Sequence, residues 1–183
     1  IAEAIGSVRD DSFFVGNGVG KPRGVLSDPA LITITKESGQ GAATILTENL
    51  DKMYSRIHPR LIRRAEWFAN PSTIPMLLGL VRTVGTSGQT VPVLNEASGE
   101  FYLYGLRLNL TSKLPALGTK GDILLADFSQ YGVGMSPGIA VARSEHALFQ
   151  RDQIAWRVVF RCDGQGLWRA PYTPSNGSTL SWC

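Results

Sequence analysis

The sequence predicts an α+β fold in which many short strands are mixed with a few helices. Three observations lead there. Twenty glycines and ten prolines punctuate the 183 residues, which favours short segments between frequent turns. Several short runs carry β-branched or alternating apolar side chains, the mark of half-buried strands. A few other stretches repeat apolar residues at helical spacing instead.

Residues 1–14 place Ile1, Ile5, Val8 and Phe13 at near-helical intervals and predict a helix, which a glycine-rich turn ends. Val25-Leu26 and Leu31-Ile-Thr-Ile-Thr35 predict extended segments, bounded by Pro29 and Gly39. Ser38 to Thr44 predicts a polar loop. Thr47 is a suitable N-cap, with Glu48 and Asp51 near the positive helix start. Leu50, Met53, Tyr54 and Ile57 then carry a helix that Pro59 stops. Ala65–Ala69 predicts a short buried strand or extended segment. Residues 70–82 predict a second helix capped by Asn70 or Ser72, with Pro75 tolerated in its first turn.

Thr83 to Glu100 predicts a loop or irregular hairpin. Strands are expected at Phe101–Leu103, Leu106–Thr111, Asp122–Asp127, Val133–Met135, Ile139–Ser144, Ile154–Cys162 and Leu167–Ala170. Residues 105–111 alternate cleanly, giving one buried and one wet face. Trp156, Val158, Phe160 and Cys162 share a predicted face, and Asp163-Gly164 is a turn signal before the last strand. His146 is expected in a helix turn or loop. From Ser175 onward the chain is polar and expected to fray, apart from Trp182.

Composition narrows the function classes. Hydrophobic residues make up 43% of the chain, ordinary for a globular protein, so disorder is not expected. No apolar run approaches the roughly 18 residues of a membrane helix. The net charge of +3 is mild. Its densest basic cluster, Arg56, His58, Arg60, Arg63 and Arg64, reads as a solvated helix face, because no aromatic residues interleave with it as nucleic-acid sites usually require. Cys162 and Cys183 have no metal-ligand spacing, and a disulfide between them is possible but not demanded. The stretch beginning at Ile1 reads as the last turns of a helix, and so as part of a longer chain.

The glycine-rich turn invites a nucleotide reading that fails. A phosphate loop needs Gly-Lys followed by Ser or Thr, and Lys21 is followed by Pro22; the position five before Gly20 is Val15. Gly16, Gly18 and Gly20 read instead as turn glycines able to take positive φ. A nucleophile triad would need His58 or His146, neither in a recognisable context. Gly134-Met-Ser-Pro-Gly138 approaches a nucleophile elbow around Ser136, but the residues after it read as a strand, not a helix. No catalytic residue, cofactor or metal is expected.

What remains is a set of motifs in one order over about 150 residues: Gly-Lys-Pro-Arg-Gly-Val-Leu (20–26), Ala-Glu-Trp-Phe-Ala-Asn-Pro (65–71), Gly-Glu-Phe-Tyr-Leu-Tyr-Gly (99–105), Gly-Leu-Arg-Leu-Asn-Leu-Thr-Ser-Lys-Leu-Pro (105–115), Gly-Asp-Ile-Leu-Leu-Ala-Asp-Phe-Ser-Gln-Tyr (121–131) and the tail from Phe149 to Pro171. Together they resemble the major capsid proteins of tailed bacteriophages, the Hong Kong ninety-seven type. The resemblance implies that fold, as a carboxy-terminal fragment holding the axial domain and part of the peripheral domain. The end of a peripheral-domain helix would be 1–16, the axial domain 17–130, peripheral strands 131–174 and a tail 175–183.

It also implies a structural, self-assembling subunit of a viral or prophage shell, with no enzymatic role. Copies would form pentamers and hexamers that enclose double-stranded DNA and contact it only indirectly, with no membrane partner. The expected location is the virion capsid, and the host bacterial cytoplasm during assembly. Loops Ser38–Thr44 and Thr83–Glu100 are the expected ring contacts, needing a partner or else staying mobile, with Ser87 and Gln89 in the second. Arg60, Arg63 and Arg64 could meet a neighbour's acids. Some members crosslink Lys to Asn, but Gln153–Cys162 holds no asparagine, so no crosslink is assigned. Two alternatives stand beside this reading: an encapsulin-like compartment shell of the same fold, and an unrelated α+β enzyme or binding module.

Overall fold

A computed structural model describes residues 2–84, 88–136 and 138–183. Its centre is a five-stranded sheet in the order β4-β5-β6-β1-β7. The strands are β1 (Glu66–Ala69), β4 (Leu94–Ala97), β5 (Glu100–Leu103), β6 (Leu106–Leu110) and β7 (Ile123–Ala126). β1 runs parallel to β6, with Trp67 beside Leu108, and antiparallel to β7. A parallel neighbour needs a long crossover. Residues 70–105 supply it, through a short helix α3 (Ile74–Leu78), the hairpin β2 (Val81–Val84) and β3 (Gln89–Pro92), and then β4 and β5.

The two-residue period of the strands divides the core. Trp67, Ala69 and Leu125 face one cluster with Leu50, Ile57, Leu77 and Leu103. Phe68, Leu124 and Ala126 face a second, with Val25, Ala30, Tyr131 and Trp182. Helix α2 (Thr47–Arg56) contributes Leu50 to the first, and α1 (Ala2–Val15) sends Phe13 and Phe14 into the second. Phe13 meets Tyr131 edge-on at 5.5 Å, and Phe14 lies 5.6 Å from Phe68. Val8, expected on the apolar face of that helix, is exposed.

Several expectations are corrected. Val25–Ser27 is a 3-10 turn, not an extended segment. Residues 31–35, expected only to be extended, take no part in a described sheet; Ile32 bonds the carbonyl of Cys183 at 3.3 Å instead. The N-cap of α2 is Leu46, and the Asn49 side chain accepts from the Leu46 N–H at 2.9 Å. The predicted helix over 70–82 shortens to a 3-10 turn plus α3, because the β-branched run Val81–Val84 pairs with Gln89–Pro92. Asn70 does cap the turn, accepting from the Ser72 N–H at 3.0 Å.

Toward the end of the chain, β8 (Tyr131–Met135) pairs with β11 (Cys162–Gly166), so Asp163-Gly164 lies inside a strand rather than at a turn. Leu167–Ala170 forms no strand. β9 (Ala140–Leu148) and β10 (Gln153–Val159) make a separate ribbon, and His146 lies in β9 rather than in a helix turn or loop. The last residues do not fray. Tyr172 and Leu180 exchange backbone bonds of 2.8 Å, Ser181 bonds Arg56 and His58, and Trp182 is fully buried. Cys162 and Cys183 are both free thiols.

Candidate assembly surfaces

The glycine turn is a packing device. Gly18 and Gly20 take positive φ, as a tight turn needs. Gly16 does not; it and Gly24 are small because the chain crosses itself there. Gly24 N–H donates to the Gly16 carbonyl at 2.9 Å, and a Cβ on Gly24 would lie 2.5 Å from the Gly16 nitrogen.

Arg60, Arg63 and Arg64 lie in the turn after α2, not on a helix face, and all three are exposed. Among the described residues none of them pairs with an acid. Gln89 opens β3 opposite Val84, on a hairpin whose described strand residues are all exposed. Ser87 lies outside the described residues. The Ser38–Thr44 loop is tied internally: Gln40 accepts from Glu37 N–H at 2.8 Å and donates to the Thr44 carbonyl at 2.7 Å, while Lys52 reaches Glu37 at 2.6 Å. That loop holds its shape by its own bonds.

The surface that sequence reasoning missed is the β9–β10 ribbon. Its connecting turn raises Phe149, 80% exposed, and Trp156 on β10 is 63% exposed under the Arg143 guanidinium. Val141 on β9 and Ile154 on β10 are exposed as well. The alternation of Trp156 with Val158 was legible, but not that the chain itself leaves this face largely uncovered. Several large apolar side chains exposed on one ribbon make it a candidate interaction surface.

Among the described residues neither histidine hydrogen-bonds to a Ser, Thr or Cys side chain; His58 Nδ1 accepts from the Arg60 N–H at 3.3 Å. Among the described residues there is no group of three or more His, Cys, Asp or Glu placed to hold a metal, and no helix is long and apolar enough to cross a membrane. A cavity of about 480 Å³ between α2 and residues 31–45 is lined mainly by aliphatic side chains such as Ile34, Met53 and Leu125.

Three tyrosines carry perturbed hydroxyls. Burial pushes Tyr131 up to about 12, with Asp163 and Asp28 adding to it. Burial also raises Tyr104 to about 12, and Asp51 adds to it, while Arg82 donates to its hydroxyl at 3.2 Å. Tyr102 is raised by its bond to Glu100. Burial likewise pushes the Cys183 thiol up, which makes it a poor nucleophile.

Comparison with known proteins places this architecture. The model of the phage capsid family matches residues 1–167. The capsid of a native GTA particle, computed with C5 symmetry, is similar at 15% identity and a TM-score of 0.70, over 99% of this chain and 62% of that one. The capsid of an empty GTA particle is similar at 16% identity and a TM-score of 0.66, over 89% of this chain and 58% of that one. The chain thus spans about three fifths of the capsid chains it resembles, and at such identities the likeness establishes the fold alone. No curated protein matches it. By the match over residues 1–167, the chain belongs to the phage capsid family.

Proposed function

We propose that this chain is the axial domain and part of the peripheral domain of a major capsid subunit of the Hong Kong ninety-seven type, closing into rings of five or six copies that build a DNA-enclosing shell. The observation that carries this reading is the exposed apolar ribbon β9–β10, with Phe149 and Trp156 uncovered by the rest of the chain, in a member of a capsid family. Large apolar side chains stay exposed in a monomer at a cost in solubility, and a neighbouring copy covering them removes that cost. The role is structural, and the shell is that of a virion or prophage, assembled in the bacterial cytoplasm.

The five-stranded sheet supports an axial domain over 17–130, with α1 (within 1–16), strands 131–174 and the tail 175–183 bordering it. Ring closure is heterologous: one patch meets a different patch on the next copy. The Thr83–Glu100 segment, with Gln89 at the start of β3, and the Ser38–Thr44 loop are the proposed ring contacts, with Ser87 kept as a candidate from sequence alone; the ribbon is the proposed contact toward neighbours outside the ring. Arg60, Arg63 and Arg64 remain available to a partner's negative charge. Cryo-electron microscopy of the expressed full-length protein tests the reading, with Phe149→Asp beside the wild type. Closed shells from the wild type and their loss in Phe149→Asp are expected. Shells equally abundant from both would remove the ribbon from the assembly surface.

A further inference from the structure

The sequence gives the basic cluster no aromatic partners, but the fold does. Residues 167–173 pass beside the turn after α2, and an open groove of about 640 Å³ lies between them. His58 meets Trp168 at 5.8 Å and Tyr172 at 5.8 Å, both edge-to-face. Trp168 is anchored, since its Nε1 donates to Gln130 Oε1 at 3.1 Å. The Tyr172 backbone is held by its paired bonds to Leu180, and the residue is 51% exposed. Arg60 and Arg169 line the groove, and no carboxylate does. Among the described residues neither guanidinium has an ion pair or a side-chain hydrogen bond.

We propose that this groove is a binding site for the phosphodiester backbone of nucleic acid, with Arg60 and Arg169 on the phosphates and Tyr172 offering a stacking face. Guanidinium forks match phosphate oxygens in a bidentate way. A fixed aromatic beside unpaired cations is the combination that holds a nucleic-acid strand without sequence preference. Arg63 and Arg64, exposed in the same turn, extend the positive surface. The expectation from sequence was that DNA is contacted only indirectly; this groove gives the chain a direct contact. The inference stands on the groove and goes beyond the shell reading.

The test is fluorescence anisotropy with a labelled short DNA duplex and the matching single strand, titrated with the full-length protein over a range of salt. Binding to both is expected, with log affinity falling linearly against log salt. The Arg60→Ala/Arg169→Ala variant reduces the duplex slope by about 2, as two lost phosphate contacts require. Tyr172→Ala weakens the single strand more than the duplex, by roughly tenfold. Lys36→Ala/Lys120→Ala, which removes two exposed cations lining the other cavity, keeps the Tyr172 response and the Arg60/Arg169 step unchanged. A salt slope equal in the double arginine variant and the wild type overturns the proposal. So does unchanged DNA binding accompanied by altered sedimentation, which would assign the arginines to an acidic surface on a second copy. Shell formation scored on the same samples keeps the two readings separate: intact shells without DNA binding refute only this site.

Discussion

The backbone N–H of Asp127 donates to the carbonyl of Trp182 at 3.0 Å. This bond ties the last turn of the chain to the residue after β7 and brings the fully buried Trp182 indole against Tyr131, 6.3 Å between centroids. The tail is therefore part of the second core. Trp182→Ala is expected to cost about 3–5 kcal/mol, the usual range for a buried aromatic truncated in a core. Urea denaturation checks it; a loss below about 1 kcal/mol would return the tail to the status of a frayed end.

Asn70 works in two directions. Its Oδ1 accepts from Ser72 and its Nδ2 donates to the Leu114 carbonyl at 2.6 Å. One side chain thereby starts the turn after β1 and pins the loop that follows β6. Asn70→Ala removes both bonds and is expected to cost about 1–3 kcal/mol. Asn70→Asp keeps the cap but sets a carboxylate oxygen against the Leu114 carbonyl where the amide donated, so in the same denaturation series it should lie below the wild type by at least about 1 kcal/mol.

Gly24 and Gly16 cross with no room for a side chain. Gly24→Ala forces the two backbones apart and is expected to cost roughly 1–3 kcal/mol, the range for overpacking. Gly20→Ala meets no neighbour within 4 Å and suffers only from its positive φ, so it should cost less than Gly24→Ala. Thermal melts of the pair check the order.

Alkaline stability follows from the tyrosines. Tyr131 ionises near 10 when unfolded and is pushed up to about 12 in the fold. Between those values the folded state holds a proton that the unfolded state has released, so stability falls as pH rises. It is fully present below about 10 and lost toward about 12; Tyr104 acts in the same window. Tyr131→Phe gives up the 2.8 Å bond to the Arg23 carbonyl, so it is weaker at neutral pH but declines less steeply above pH 10. Denaturation midpoints read across that range check the crossover of slopes.

Much of the central sheet was legible because local pattern and tertiary role agree. In Trp67-Phe68-Ala69 and Leu124-Leu125-Ala126 every side chain is apolar, as strands buried on both faces require. Helix α2 was legible from Leu50, Met53 and Tyr54, though its cap fell one residue earlier. Failures came where distant partners decide. Val81–Val84 continues a helical pattern but finds a hairpin partner eight residues on. Leu31–Thr35 looks extended, yet it joins none of the described strands. The polar tail gives no local sign of its partners, which lie more than 120 residues earlier at Arg56 and Ala30. The arginine turn was visible in sequence, while its aromatic neighbours Trp168 and Tyr172 were not, because only the fold brings them to His58.

Cryo-electron microscopy of the full-length protein expressed alone decides whether the subunit assembles through these surfaces. Closed shells or uniform rings of five and six copies are expected, with density from neighbours over the β9–β10 ribbon. A monomer that persists across concentration and salt, with Phe149 and Trp156 still open to solvent, would contradict that assembly.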